Sequence, residues 1–429
     1  MWEIPASVGM KEFLYRSSMA ERRANLCSLC FGHRRLCGRS VCPLLVKARA
    51  MLKLEPKLAS QEIFGASPPA VFVGSWGYPQ VLAGPLVPPT AGIDTSVMDR
   101  PELWVDMPME QVLNYRLGLV RGKSRVDVHN ARSPGRLLSE VQEMVMASRP
   151  VDAEMRLRKR PKLTFALNPR EPVFGPSAPM ERLTVAENPP IPRKVDAVVA
   201  DTDLRAEQGV LELYLSGVEQ RQITRMLSVG LLGVKRQRRL VPTEWSITAV
   251  DDIIGRALHR EILDYKEVDC FMLFGHIALG NNVQILLMPT AWMFEALEAW
   301  LTTKQPTIIS DYEPTRGRRS YASEVAGAYY AVRLPILEYL RSIRRQAGAI
   351  AFLEVYPTWI PMGVWRFREI ARKALQKPPT KHSTLNEALK ELSKRLKIPI
   401  ERWTSKSELI KIYKTQTKLA QFLEESVKS

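Results

Sequence analysis

Four cysteines crowd into one short stretch of the chain: Cys27-Ser-Leu-Cys30, then Cys37, then Cys42 followed by Pro43. The fifth, Cys270, lies far downstream. Four thiolates at this spacing can surround one tetrahedral metal ion, and a segment too small to bury a core of its own needs such a cross-link. The first pair has the Cys-x-x-Cys form of a zinc knuckle, and Gly32 and Gly38 supply turn points after Cys30 and Cys37. Zinc is the ion expected between Cys27, Cys30, Cys37 and Cys42. An iron–sulfur cluster is the alternative: it too takes four thiolates, and a Cys-Pro ending occurs in ferredoxin-type runs, although the intervals here differ. Disulfides fit poorly. Glu3, Lys11, Glu12 and Arg16 interrupt any signal-peptide hydrophobic region, and pairing of the four would leave Cys270 over.

The carboxyl end carries a second pattern. Gln416 is followed at three residues by Leu419 and at three more by the adjacent bulky pair Phe422 and Leu423. One helical turn would bring Leu419, Phe422 and Leu423 to one side as a hydrophobic plug, with Gln416 anchoring by hydrogen bonds. This resembles the PCNA-interacting peptide that repair and replication proteins present to the sliding clamp. The competing reading is an amphipathic terminal helix packed on its own domain through Leu409, Ile412, Leu419 and Phe422.

The charge balance points to a polyanion. Lys and Arg number 62 against 45 Asp and Glu, a formal net charge of +17 on 429 residues. The cations cluster: Arg156, Arg158, Lys159, Arg160 and Lys162; Lys235, Arg236, Arg238 and Arg239; Arg316, Arg318 and Arg319; then Arg341, Arg344 and Arg345, expected on one helix face. Arg158, Lys159, Arg160, Lys235, Arg236, Arg238, Arg239, Arg318 and Arg319 are the expected DNA contacts. Apolar content of 45% suffices for a large core, and no apolar run approaches a bilayer span, so a soluble, cytoplasmic protein of two or three domains is expected.

Catalytic signatures are weak. Gly118-Leu-Val-Arg-Gly122-Lys123-Ser124 approximates a phosphate-binding loop but has one residue too few between its glycines. The histidines form no ligand pair, and His276 reads as a core residue. Asp201 with Asp203, or Asp251 with Asp252, could bind a divalent cation, as a metal-dependent nuclease or nucleotide-dependent modifier would require; helix capping explains the same residues.

The elements that must position these groups are mixed. Residues 68–90, rich in proline and glycine, read as strands joined by tight turns, with Phe72, Trp76 and Tyr78 as core-sized aromatics. Helices are expected at 137–147, over 204–227, and at 291–302, 323–346, 364–375 and 384–396. A hairpin is expected around Gly280-Asn281-Asn282, a strand at 349–356, and an extended crossing segment at 161–195. The class is α+β, with short antiparallel strands and an N-terminal metal-stapled module.

Taken together, the chain resembles the archaeal Nre family of DNA repair proteins. The resemblance rests on the cysteine segment with Cys42-Pro43-Leu44-Leu45, on Phe72-Val-Gly74, Gly77-Tyr78-Pro79 and Gly84-Pro85-Leu86, on Val241-Pro-Thr-Glu-Trp245-Ser-Ile-Thr-Ala-Val-Asp251-Asp252, and on Gly327-Ala-Tyr-Tyr-Ala-Val-Arg333-Leu334. It implies a role in DNA damage repair and recruitment to the clamp through the tail, and supplies no catalytic residues. The expected division is an extension at 1–26, the cysteine segment at 27–42, an N-terminal region at 43–290, a C-terminal region at 291–405 and the tail at 406–429.

Overall fold

The computed structural model describes residues 55–162, 174–301, 305–358 and 362–415, with isolated positions between Cys30 and Leu52. They form two compact units. The first runs to Ala257 and includes the stretch ending at Arg366; the second takes Leu258 onward and then Phe367 onward.

The first unit is built on a six-stranded sheet of β1 (Glu62–Ser67), β2 (Val71–Val73), β3 (Gln80–Val87), β4 (Val120–Asp127), β5 (Val151–Leu157) and β6 (Ser177–Val185). Their order is β1-β5-β6-β4-β3-β2, antiparallel throughout except for the parallel pair β4 and β6. Strand alternation decides which face is buried. In β5, Val151, Ala153, Met155 and Leu157 point inward, while Glu154 and Arg156 are exposed. After α1 (Met109–Leu117), the inner face is covered by α2 (Arg136–Met146), whose Leu138, Val141, Met144 and Val145 recur at helical spacing, with Leu138 against Val73, Val81 and Ala83. Helices α3 (Arg193–Ala200), α4 (Ala206–Leu215) and α5 (Gln220–Ser228) follow, then the long α6 (Thr243–Ile262). The expected helix at 137–147 is thus present, and the expected 204–227 helical stretch is a pair of helices. The segment 161–195, by contrast, is not a crossing strap: its described part holds β6, in the middle of the sheet.

In the second unit, β7 (Lys266–Glu267) pairs with β12 (Arg345–Gln346). The main sheet has the order β11-β10-β13-β9-β8-β14, from β8 (Phe271–Ala278), β9 (Asn281–Met288), β10 (Met293–Trp300), β11 (Ile308–Glu313), β13 (Gly348–Val355) and β14 (Thr380–His382). Every residue of β9 and β13 is buried, so both sheet faces are covered. Helix α7 (Gly327–Ser342) covers one face through Tyr329 on Phe294 and Tyr339 on Phe274, each with ring centres 5.0 Å apart. The other face carries Leu286, Met288, Leu297 and Phe352 against α9 (Leu385–Ser393), α10 (Ile400–Lys406) and α11 (Glu408–Thr415), while α8 (Trp365–Leu375) begins in the stretch ending at Arg366.

The hairpin β8–β9 forms as expected, its turn at Leu279-Gly280, both with positive φ. The helix expected at 291–302 does not form. Met293–Trp300 is β10, paired antiparallel with β11 and parallel with β13, so two ladders override the helical preference of its Met, Glu, Ala and Leu residues. Buried Glu295 on this strand accepts Ser407 Oγ at 2.5 Å and the backbone N–H groups of Glu408 and Leu409 at 3.0 and 3.1 Å, capping α11. Glu354 likewise accepts the N–H groups of Lys397 and Ile398 at 2.8 and 2.9 Å. Arg341, Arg344 and Arg345 do not share a helix face: α7 ends at Ser342, Arg344 has φ of 51°, and Arg345 begins β12.

Candidate nucleic-acid interface

The outer face of the first unit's sheet carries a row of cations along β4, while toward β1 and β5 it mixes Glu62 and Glu154 with Arg156. Along β4, Arg121, Lys123 and Arg125 alternate with the inward-facing Gly122 and Ser124, so all three cations share the outer face. The stretch read as an approximate phosphate loop is therefore the end of α1, a short turn and a strand. A phosphate loop needs strand, loop and helix in the reverse order.

Strand pairing brings a second cluster beside the first. Arg158 N–H donates to the Pro179 carbonyl at 2.8 Å, and Lys162 exchanges backbone hydrogen bonds with Ser177 at 3.0 and 3.1 Å. Pro179 and Ser177 lie in turn opposite Lys123 and Arg121. Two strand spacings, about 10 Å, thus separate the run 158–162 from the cations of β4. Arg158, Lys159, Arg160 and Lys162 are exposed.

Aromatic rings are set among these charges. The Arg121 guanidinium lies 5.0 Å from the Phe72 ring and 4.3 Å from that of Phe174, a sandwich that fixes its direction. Phe64, on β1 at the far edge, is exposed. Gly84 stands opposite Phe72, and a Cβ there would meet the Gly122 carbonyl at 2.1 Å, so only glycine permits this approach of β3 to β4. Partial burial, and after it the Arg121 guanidinium, hold the Lys123 ammonium below its ordinary pKa. Carboxylates are sparse near β4: Asp127 is engaged by the His129 N–H and ring Nδ1, each at 2.9 Å, and is held low by them. Arg156 has Glu181 at 3.5 Å, a solvated pair. The face can therefore hold phosphates by charge and offer rings to bases.

The other expected contacts divide by what surrounds them. Lys235 and Arg236 on the 3₁₀ turn after α5 and Arg239 just beyond it are exposed, with no carboxylate paired to them among the described residues. Arg238 instead donates to the carbonyls of Gly233, Val199 and Asp201 at 2.7, 2.9 and 2.9 Å, fastening that loop. In the second unit Arg319 is exposed, whereas Arg318 pairs with buried Asp311 at 2.9 Å and donates to the Tyr312 and Tyr321 carbonyls. Nearby, Arg333 donates to both oxygens of buried Glu313 at 2.6 and 2.7 Å, Tyr329 OH also donates to that carboxylate, and Trp292 Nε1 reaches it at 3.3 Å. His259 Nε2 lies 2.9 Å from the Thr315 carbonyl; burial, then Arg333, lowers its pKa.

The paired aspartates form no cation site. Asp201 Oδ1 accepts the N–H groups of Asp203 and Leu204 at 2.9 Å, a turn rather than a helix cap. Asp251 and Asp252 sit inside α6, not at its start: Asp251 is buried against Gln220, and Asp252 pairs with Arg256 at 3.1 Å. His276, half-buried, has its Nδ1 2.8 Å from Lys377 Nζ. Among the described residues no three metal-ligating side chains gather. Of the cysteine set, Cys30 is buried and Cys42 half-buried, both free of disulfides, while Cys27 and Cys37 lie outside the described residues. Gln416, Leu419, Phe422 and Leu423 also lie outside them; the helix before them, α11, is packed through Leu409 and Ile410. No helix among the described residues is long and apolar enough to cross a membrane.

Residues missed by sequence reasoning are Arg121, Lys123 and Arg125. Their signal was present: Arg-x-Lys-x-Arg is the period-2 pattern of one strand face.

Comparison with known proteins covers nearly the whole chain. The family model for the archaeal Nre N-terminal region matches residues 36–305, and that for the C-terminal region matches 313–422. The DNA repair protein NreB of Archaeoglobus fulgidus is 39% identical over 90% of this chain and 97% of its own length. The NreA proteins of A. fulgidus and Haloferax volcanii are 38% and 32% identical, over 92% and 83% of this chain and 98% and 88% of theirs. No solved structure matches the chain. With both halves matched by their models and relatives alike over almost their full lengths, the chain belongs to the archaeal Nre family of DNA repair proteins.

Proposed function

We propose that this protein is a DNA repair factor that holds DNA on the open face of its first sheet and is brought to the replication fork by the PCNA sliding clamp. The observation that carries the DNA contact is the convergence of Arg121, Lys123 and Arg125 with Arg158, Lys159, Arg160 and Lys162 across neighbouring strands. Backbone phosphates are the polyanion such a surface fits, and it would grip them without reading sequence.

Recruitment rests on the tail. Gln416, Leu419, Phe422 and Leu423 have the spacing of the clamp-binding peptide, and they follow directly on a helix whose start is clasped by Glu295. The four cysteines form the third part. Their donor set, all thiols within sixteen residues of chain, fits zinc, which Cys27, Cys30, Cys37 and Cys42 would hold as a structural cross-link. An iron–sulfur cluster is the competing occupant of the same thiolates. A pull-down with the sliding clamp, comparing the full chain with one ending at Thr415, tests recruitment: retention of the full chain alone is expected, and equal retention of both refutes the tail as the contact.

A further inference from the structure

The turn joining β2 to β3 holds aromatic side chains where the sequence reading expected core. Trp76 is 80% exposed and Tyr78 40% exposed. The backbone beneath them is fixed. Gly74 N–H donates to the Leu82 carbonyl at 2.8 Å, and Gln80 N–H to that of Gly77 at 2.8 Å. Gly77 has φ of 82°, and a Cβ there would meet the Gln80 carbonyl at 2.8 Å, so the bend requires glycine. Tyr78 is braced by Trp245, with ring centres 5.5 Å apart. The Trp76 indole is thus held outward on a stiff support.

Cations stand beside this turn. Val128 N–H donates to the Pro79 carbonyl at 3.0 Å, and Leu240 N–H to the Val128 carbonyl at 2.8 Å, so three backbones run side by side. Arg239 precedes Leu240, and Lys235 and Arg236 lie on the 3₁₀ turn packed on residues 128–132. The span from Tyr78 to Arg239 is about 10 Å, two backbone spacings. On the other side Arg125 is paired in register with Leu82, so β4's row of cations leads toward the same turn.

We infer that Trp76 and Tyr78 form a stacking platform for an unpaired nucleobase, whose flanking phosphates are held by Arg125 on one side and by Lys235, Arg236 and Arg239 on the other. The inference rests on the DNA-binding reading above and adds the class of DNA: a strand with bases out of the duplex. A ring in a stacked helix has no free face for the indole, whereas an unpaired base has two. A protein partner would call for a broader apolar surface. Among the described residues the large exposed apolar side chains of this turn are Trp76 and Tyr78 alone; at its foot Asp127, opposite Gln80, is engaged by His129, and the cations stand one step further out.

The test is fluorescence anisotropy with a labelled oligothymidine strand and a labelled duplex of equal length. The probed proteins are the full chain, Trp76→Ala, Trp76→Phe, and the double variant Lys123→Ala, Arg125→Ala. Trp76 is exposed, so its replacement leaves the core intact. Trp76→Ala is expected to weaken the single strand about tenfold and the duplex hardly at all, with Trp76→Phe close to the unaltered chain. If Trp76→Ala binds the strand as the unaltered chain does, while the double variant loses both probes, stacking is overturned and the cationic face stands; the turn would then be a protein contact. If the unaltered chain binds neither probe, both readings fall.

Discussion

Removing three cations from the outer face of the sheet should flatten the salt dependence of DNA binding by an amount the geometry sets. Arg121 to Arg125 spans about 13 Å of strand, and the run 158–162 lies about 10 Å away. Over such a length a duplex presents about eight negative charges, so each of Arg121, Lys123, Arg125, Arg158, Arg160 and Lys162 can meet a phosphate of its own. Six such contacts give a slope of log affinity on log salt of about −5.4, or a loss of roughly 2,000-fold between 50 and 200 mM salt. Replacing Lys123, Arg125 and Arg158 by Ala removes about half of that slope. The triple variant should lose only about 40-fold over the same range while binding more weakly at low salt. Arg121 is left in place because its packing between Phe72 and Phe174 carries structure as well as charge. The assay is anisotropy titration of a labelled duplex at several salt concentrations. A triple variant with the unaltered slope would refute the placement of DNA on this face, and so would a loss of affinity independent of salt.

Other outcomes follow from the same structure. Phe422→Ala with Leu423→Ala should abolish clamp binding and leave the melting temperature within about 2 °C, since α11 is anchored upstream by Leu409 and Ile410; a larger drop would mean the tail packs on its own domain. Metal analysis should find about one zinc per chain, lost on replacing Cys27 and Cys30 by Ser; iron with visible absorbance would assign a cluster instead. Arg333→Met should cost about 3–5 kcal/mol near neutral pH, measured by urea unfolding, because it leaves the buried Glu313 carboxylate without its countercharge. The pH dependence has a definite sign. Burial pushes the Glu313 carboxyl up, but Arg333 holds it below its ordinary value, so in the unaltered chain the pair stabilises above about pH 4.5 and fades as pH falls through the lowered value. Without Arg333 burial is opposed only by the Tyr329 hydroxyl and by His259, so the carboxyl rises and the variant's deficit should shrink toward about pH 5 as Glu313 takes up a proton; equal deficits at both pH values would contradict this.

Local pattern sufficed where one period governed an element. Arg136–Met146 shows the helical stripe plainly, and β8–β9 declares itself by apolar runs around a turn glycine. It failed where partners decided. Met293–Trp300 has helix-forming composition, and only β11 and β13 on either side make it a strand. Trp76 and Tyr78 have the size of core residues, and nothing local says that their turn faces water. Gly122-Lys123-Ser124 approximates a phosphate loop through its Gly-Lys-Ser order alone; the glycine and serine are here the small inward members of an alternating strand, with the Met155 and Met180 sulfurs packed against Gly122.

The charge clusters show the same divide, with a consequence for function. A run of arginines in sequence mixes two populations. Arg225 with Asp99, Arg318 with Asp311, Arg333 with Glu313 and Arg372 with Glu338 each face a carboxylate, and Arg238 fastens backbone carbonyls. Each ion pair takes one charge from both signs, so internal pairing cannot reduce the excess of 17 positive charges. That excess must sit on the cations that carboxylates leave alone. Among the described residues of the first unit, these include Lys123, Arg125, Arg158, Lys159, Arg160 and Lys162 on the sheet and Lys235, Arg236 and Arg239 by the aromatic turn. Like charges so close repel one another; salt ions screen that repulsion in part, and a partner that brings a regular line of anions relieves it further. A nucleic-acid backbone is such a line, and on the proposed reading the sheet face would lead it toward the exposed rings of Trp76 and Tyr78.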